Sequence, residues 1–286
     1  MFSGGANPRA QPELRPPAFR GVLRYWTRAV AGGVIGDQNL TGLHQMEAAL
    51  FGNTGTGSPI QIRLSQAALQ VVNTPILIHK ADSARRPAYQ AGQSFDLVIS
   101  ACRPVSVEVW NATMAISELM ITLGGVGLRS RRGYGVLKIK NRAKPSPVTL
   151  TEWETTIRDT AHNALSAMSS LAGLLGIESQ PLLAGPCAFP CINQVGILRI
   201  GTSHFPTAAD AVKDFMQHVQ QVDWLGGIHP QQASPLWTHP IQAEDGFHLV
   251  YIVLASRFRN SDYLKLKAFL DEKPGKDLTI SGWNVL

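Results

Sequence analysis

Along the first half of the chain the apolar positions switch between a helical and a two-residue period. From Ala18 to Ala31, Val22, Trp26 (beside Tyr25), Ala29 and Val30 recur at helical spacing, and Gly32-Gly33 is expected to end that helix. A second, shorter helix is predicted over Leu40–Leu50, stopping at Phe51-Gly52. Apolar runs between turn residues predict strands at Ile60–Leu64, Pro75–His79 and Phe95–Cys102. Val107–Leu123 reads as the most regular helix of this half, with Val107, Trp110, Met114, Ser117 and Ile121 on one face. The glycine-rich segment Gly124–Gly135 follows, and then a predicted strand at Val136–Ile139.

The two prolines of Lys144-Pro145-Ser146-Pro147 resist both helix and central strand, so a boundary is expected there. Beyond it the pattern predicts a helix at Glu152–Leu175, a strand at Val195–Ile200 and a helix at Ala208–Val222. A buried strand at Leu249–Ala255 and a helix at Asp262–Leu270 come next. Both halves mix strands with helices. The expected fold is α+β, built from two ferredoxin-like (RRM-like) βαββαβ units over residues 1–145 and 146–286. Such a unit needs a strand ahead of its first helix. Residues Met1–Pro17 carry Gly4, Gly5, Pro8, Pro12, Pro16 and Pro17 and suit no regular element, so the first unit is expected to lack that strand.

Composition narrows the class. With 44% hydrophobic and 16% charged residues in 286, the chain is globular, not disordered. No apolar run reaches the roughly 18–20 residues of a membrane helix. The opening MFSGGANPRAQ lacks the apolar core of a signal peptide, and three cysteines make no disulfide framework. The expected setting is the reducing cytoplasm, away from membranes and with no cofactor. Charge is unevenly shared. Met1–Lys144 holds 17 Lys and Arg, 13 of them Arg, against 7 Asp and Glu, whereas Pro145–Leu286 holds 9 against 13. Arg matches phosphate well, and such asymmetry points to a polyanion partner; the competing reading is a merely soluble basic surface.

Arg20, Arg24 and Arg28 sit four apart, which places three guanidinium groups on one helical stripe with Arg15 just upstream. Like charges at that spacing destabilise a helix unless an anion neutralises them, so the stripe suggests phosphate; carboxylates from elsewhere are the alternative. In Gly124–Gly135 five of twelve residues are Gly, and Arg129, Arg131 and Arg132 crowd the middle. Gly125, Gly127 and Gly133 allow backbone N–H groups to approach a phosphate, and Tyr134 is a candidate base-stacking platform. The segment is neither a Rossmann fingerprint nor a P-loop, because it lies between a helix and a strand and lacks their spacing. Its alternative reading is a tight turn with surface arginines.

These residues carry a resemblance. Glu13–Ala29 (ELRPPAFRGVLRYWTRA), Glu47–Gly52 (EAALFG) and Gly124–Leu137 (GGVGLRSRRGYGVL) resemble the motifs of the RAMP superfamily, RNA-binding proteins of type III CRISPR effectors. Ala233-Ser234-Pro235-Leu236 is similar to a weaker motif near the family's C-terminus. Within the family the sequence is most similar to the first-numbered RAMP subunits of Cmr complexes. The resemblance implies two ferredoxin-like domains in a multisubunit ribonucleoprotein. Its partners would be a CRISPR guide RNA, the complementary target RNA and other effector subunits. RNA-binding roles would fall to Arg20, Arg24, Arg28 and Gly124–Gly135. Family members usually open with a strand ending in a glycine turn; here Phe2-Ser3-Gly4-Gly5 would be the turn, implying a late start or one part of a split polypeptide.

Some family members cut target RNA with a loop Asp, and Asp37 corresponds loosely, though a lone Asp before Leu40 also suits an N-cap. The expectation is a binding protein with no catalytic residue. A metal-independent endoribonuclease is the alternative, and an assembly protein whose basic half binds an acidic protein is a third. Cys187 and Cys191, with His204 downstream, fall short of a zinc set and read as buried small side chains. Trp26 and Trp110 read as core.

Overall fold

Pro16 and Pro17 open the first helix, α1 (Pro16–Ile35), where proline's fixed φ and missing N–H cost nothing. The computed structural model describes residues 11–65, 68–140, 145–180, 187–193, 196–219, 225, 227–228, 231–256 and 263–280. α1 runs through Gly32-Gly33 instead of ending there and stops at Gly36, whose φ is +80°. The reason is packing: a Cβ on Gly32 would lie 2.8 Å from the Cβ of Cys191, so glycine lets the second half approach the helix closely. α2 (Leu40–Phe51) is capped by Asn39, whose side chain accepts from the Gly42 N–H. The N-cap expected of Asp37 is therefore corrected to Asn39.

The strands of the first half come in two antiparallel pairs. β1 (Ile60–Ser65) pairs with β4 (Asp96–Ala101), and β2 (Val71–Pro75) with β3 (Arg85–Tyr89) in the hairpin between them. The strand predicted at Pro75–His79 is corrected to Val71–Pro75: Leu77 and Ile78 pack their side chains into a core of the second half. α3 (Val107–Leu123) matches its predicted range and is capped by Ser106. Val136–Ile139 forms no strand, since no described neighbour pairs with it.

α4 (Leu150–Leu174) starts at a capping box formed by Thr149 and Glu152. After it come β5 (Ile197–Gly201), α5 (Ala208–Val219), and the short pair β6 (Gly227–Ile228) and β7 (Gln231–Gln232). β8 (Leu236–Ala243), β9 (Gly246–Val253), α6 (Tyr263–Asp271) and β10 (Gly275–Asp277) complete the chain. One antiparallel sheet has the order β10-β5-β9-β8. β8 was not predicted because Pro240 interrupts its pattern, and it lies at the sheet edge, where a missing N–H is tolerated.

The architecture is mixed α+β. The expected boundary near Pro145 falls between α3 and α4, yet α4 packs on α1 and α3. One hydrophobic core joins Phe19, Trp26, Met46 and Met120 of the first half with Met168, Ile200, Ile252 and Ile280 of the second. A second core gathers α5 and α6 around Phe215, Leu249 and Leu270. No helix among the described residues is long and apolar enough to cross a membrane.

Candidate nucleic-acid interface

Burial of Phe19, Leu23, Trp26 and Val30 fixes the rotation of α1 and turns Arg20, Arg24 and Arg28 outward. The carboxylate that tempers this stripe comes from α2. Glu47 lies 3.4 Å from Arg24 Nε through one oxygen and 3.3 Å from Arg28 Nη1 through the other. Arg24 also donates to the carbonyls of Phe51 (3.4 Å) and Gly52 (3.1 Å), where the end of α2 favours a cation. Arg20 donates to the carbonyl of Ile60 at 3.4 Å. Arg15 sits 3.6 Å from Glu13. Glu47 is the stripe's one ion-pair partner among the described residues, so the stripe's three guanidinium groups face a single carboxylate, which Arg24 and Arg28 share and Arg20 does not reach. The Arg28 side chain remains 46% exposed.

The glycine-rich segment behaves differently. Its arginines diverge: Arg131 Nη1 donates to the Ser234 carbonyl (2.6 Å) and Arg132 Nη2 to the Leu225 carbonyl (3.1 Å). Both acceptors belong to the second half. The Arg131 guanidinium lies 5.3 Å from the ring centre of Tyr25 and 5.0 Å from that of Trp237, and Arg132 lies over Phe215 at 5.6 Å. Backbone joins them, with the Thr238 N–H donating to the Arg131 carbonyl at 3.2 Å. Burial pushes the Arg132 guanidinium down to about 10, with the charges of Arg129 and Arg131 adding to the effect; it remains a cation at neutral pH.

Gly133 shows why this loop needs glycine. Its φ is +79°, and a Cβ there would lie 2.8 Å from Val212 Cγ2. At the other end Gly124 presents its carbonyl to His239 Nδ1 at 2.9 Å. Burial holds the His239 imidazole down at about 4, so Nδ1–H of the neutral ring is the donor. Gly125 and Gly127 lie in the turn between; Gly127 has φ +96°. Arg129, at φ +63°, is the one described non-glycine residue in the left-handed region, and burial lowers its pKa. Tyr134 is half-buried against the second core, and burial raises its phenol.

The structure thus divides the predicted residues. Arg15, Arg20, Arg24 and Arg28 form one solvent-facing strip, while Arg131, Arg132, Gly133 and Tyr134 join the halves. The sequence reading missed two contributors. Glu47 is the strip's counter-ion. Arg86 on β3 lies near enough to Arg129 for its charge to help lower that pKa, and the adjacent pair Arg85-Arg86 was the available signal.

Asp37 is 3% exposed, and its Oδ2 accepts the Ala188 N–H at 2.6 Å. Cys187 and Cys191 are buried, not joined in a disulfide, and packed with Phe189 and Ala255. A hydrogen bond with Cys187, and then burial, push the Cys191 thiol up. Trp26 is fully buried, and Trp110 is half-buried on α3.

The chain is similar to known proteins. The family model of the RAMP superfamily matches residues 1–138. The CRISPR system Cmr subunit Cmr1-1 of Pyrococcus furiosus is 30% identical over 145 residues, 46% of this chain and 42% of that protein. The match therefore spans less than half the length of that relative. The crystal structure of Cmr1 from P. furiosus, in its apo form, superposes with a TM-score of 0.64 at 17% identity, covering 96% of this chain and 92% of that one. A chain of the type III-B Cmr-beta complex bound to cognate target RNA gives a TM-score of 0.58 at 10% identity, over 95% and 96% of the two chains. These two likenesses show a shared fold.

Proposed function

We propose that this chain, which belongs to the RAMP superfamily and is Cmr1-like, is an RNA-binding subunit of a type III CRISPR-Cas ribonucleoprotein effector. In antiviral defence it grips the backbones of a CRISPR guide RNA and its complementary target RNA. One observation carries the reading: among the described residues the three arginines of the α1 stripe have one carboxylate partner, Glu47, which pairs with Arg24 and Arg28 and leaves Arg20 without one, on the half of the chain with the large cationic excess. That excess attracts phosphate without reading sequence, which base pairing would read instead. Arg15, Arg20, Arg28 and Arg129, with Arg86, supply the grip; Arg131, Arg132 and Gly133 hold the platform that presents it.

The acidic second half faces neighbouring effector subunits in the cytoplasm. Its order β5-α5-β8-β9-α6-β10, with sheet order β10-β5-β9-β8, supports a ferredoxin-like reading of that unit. Among the described residues the first half repeats the order α1-β1-β4-α3, with β1 and β4 antiparallel. Binding is favoured over cleavage because the Asp37 carboxylate is buried and engaged with a backbone N–H. An endoribonuclease would need another residue.

Native mass spectrometry of the tagged protein from its host, with and without ribonuclease, tests the assignment. A large assembly holding a discrete short RNA is expected; a lone chain without RNA would overturn it. Incubation of a guide–target duplex with the purified protein should leave the RNA intact. Cleavage lost on Asp37→Ala would instead establish the nuclease.

A further inference from the structure

Glu47 is an unexpected neighbour for a stripe that grips phosphate. It lies on α2 with its carboxylate between Arg24 and Arg28, 3.4 Å from one and 3.3 Å from the other. Holding the two helices together does not call for it. Met46, Leu50 and Phe51 of α2 are buried in the core shared with α1, and Arg24 already donates to the carbonyls of Phe51 and Gly52. A partly exposed ion pair adds little to that. A carboxylate at this place also repels an approaching phosphate, so it weakens the grip unless the ligand brings a donor for it.

The geometry leaves room for such a donor. The Glu47 side chain is 18% exposed and stands beside an Arg28 that faces solvent. An ionised carboxylate has about four lone-pair sites, of which the two arginines take two. Position narrows what the donor can be. Arg20 and Arg28 stand about 12 Å apart along α1, about two steps between neighbouring phosphates of one nucleic-acid strand. A strand that follows both arginines carries the sugars between its phosphates past Glu47. Ribose has a hydroxyl donor there that deoxyribose lacks.

We propose that Glu47 accepts a hydrogen bond from a ribose 2′-hydroxyl of a strand held at Arg20 and Arg28, so that the stripe selects RNA over DNA. Arg24, tied to the carbonyls that end α2, orients the carboxylate. Repulsion from Glu47 falls on both polymers alike, and only RNA offsets it with a charge-assisted bond. Arg20, which reaches no carboxylate, grips phosphate without discriminating. The inference rests on the RNA-binding reading and adds the residue that tells the two polymers apart.

The test measures the full chain's affinity for RNA, 2′-fluoro RNA and DNA of one sequence. The 2′-fluoro strand keeps the A-form sugar pucker but has no hydroxyl to donate. RNA is expected to bind about tenfold or more tightly than either of the others, as befits a hydrogen bond to a charged group. Glu47→Ala removes both the repulsion and the acceptor, so DNA and 2′-fluoro RNA should bind more tightly and the preference for RNA should largely disappear. A merely structural Glu47 would instead weaken all three alike and leave their ratios unchanged, which overturns the proposal. So does 2′-fluoro RNA binding as tightly as RNA, since the stripe would then read helix shape. RNA and DNA bound equally by the unaltered protein overturns it while leaving the RNA-binding reading in place; no binding of any of the three overturns both.

Discussion

In the second half four antiparallel strands share one sheet, and their apolar side chains fill cores on its faces; in the first half the described strands occur only as pairs. The charges divide the same way, with the cationic excess in the first half and the acidic excess in the second. Each half supplies what the other lacks. The more completely paired half provides carbonyls and aromatic rings, from Ser234, Leu225, Trp237 and Phe215, which hold Arg131 and Arg132 of the basic half. Two of the most conspicuous arginines of the sequence therefore act as internal fasteners, and the strip on α1 is the part of the basic cluster turned toward solvent. A basic cluster has different consequences according to what lies across from it.

Gly133→Val should break this arrangement most severely. Left-handed backbone and a Cβ 2.8 Å from Val212 together cost about 3–5 kcal/mol, read as a lower urea midpoint. Gly173→Ala, with open space around the position, serves as the control. An unchanged midpoint for Gly133→Val would mean that the loop does not hold the halves together.

Acid should act on the same joint. The folded pKa of His239, about 4, lies below the roughly 6.5 of an unfolded histidine, so the unfolded state binds the extra proton between those values. The stabilisation is fully present above pH about 6.5 and is lost as pH falls toward about 4, by up to roughly 3 kcal/mol. His239→Gln removes the titration, and its stability should vary less with pH across that window. Equal slopes for the two proteins would show that His239 does not supply the acid sensitivity.

Arg131→Ala and Arg28→Ala sharpen the contrast further. The first loses a charged hydrogen bond and two ring contacts, about 2 kcal/mol of stability, with the salt dependence of RNA binding unchanged. The second removes an exposed ion pair worth under about 1 kcal/mol but lowers the slope of log affinity against log salt by about 0.7–0.9. A reversal of these two outcomes would exchange the roles given to stripe and loop.

Much of this was legible in residue order. α3 appears at its predicted range and α2 within one residue at its C-terminal end, whereas α1 starts at Pro16, two residues ahead of the predicted Ala18. Short-range periodicity and capping decide such elements, and both lie within a few turns of chain. The edge strand β8 was illegible because Pro240 obscures its pattern, and β3 because Arg85-Arg86-Pro87 looks like a charged turn. The candidate stripe was visible, since i, i+4 spacing is local. The fate of the glycine-rich loop was not, because its partners Ser234 and Leu225 lie about a hundred residues along the chain.

Composition, periodicity and charge asymmetry were enough to establish an α+β chain with a basic first half and an arginine stripe on its first helix. Which arginines face solvent was settled by long-range packing, as was the pairing of Glu47 with both Arg24 and Arg28. A guanidinium is equally cationic in either setting. Its role depends on whether the nearest acceptor is a carbonyl of the same fold or a phosphate from outside, and that distance exists only once the chain has closed on itself.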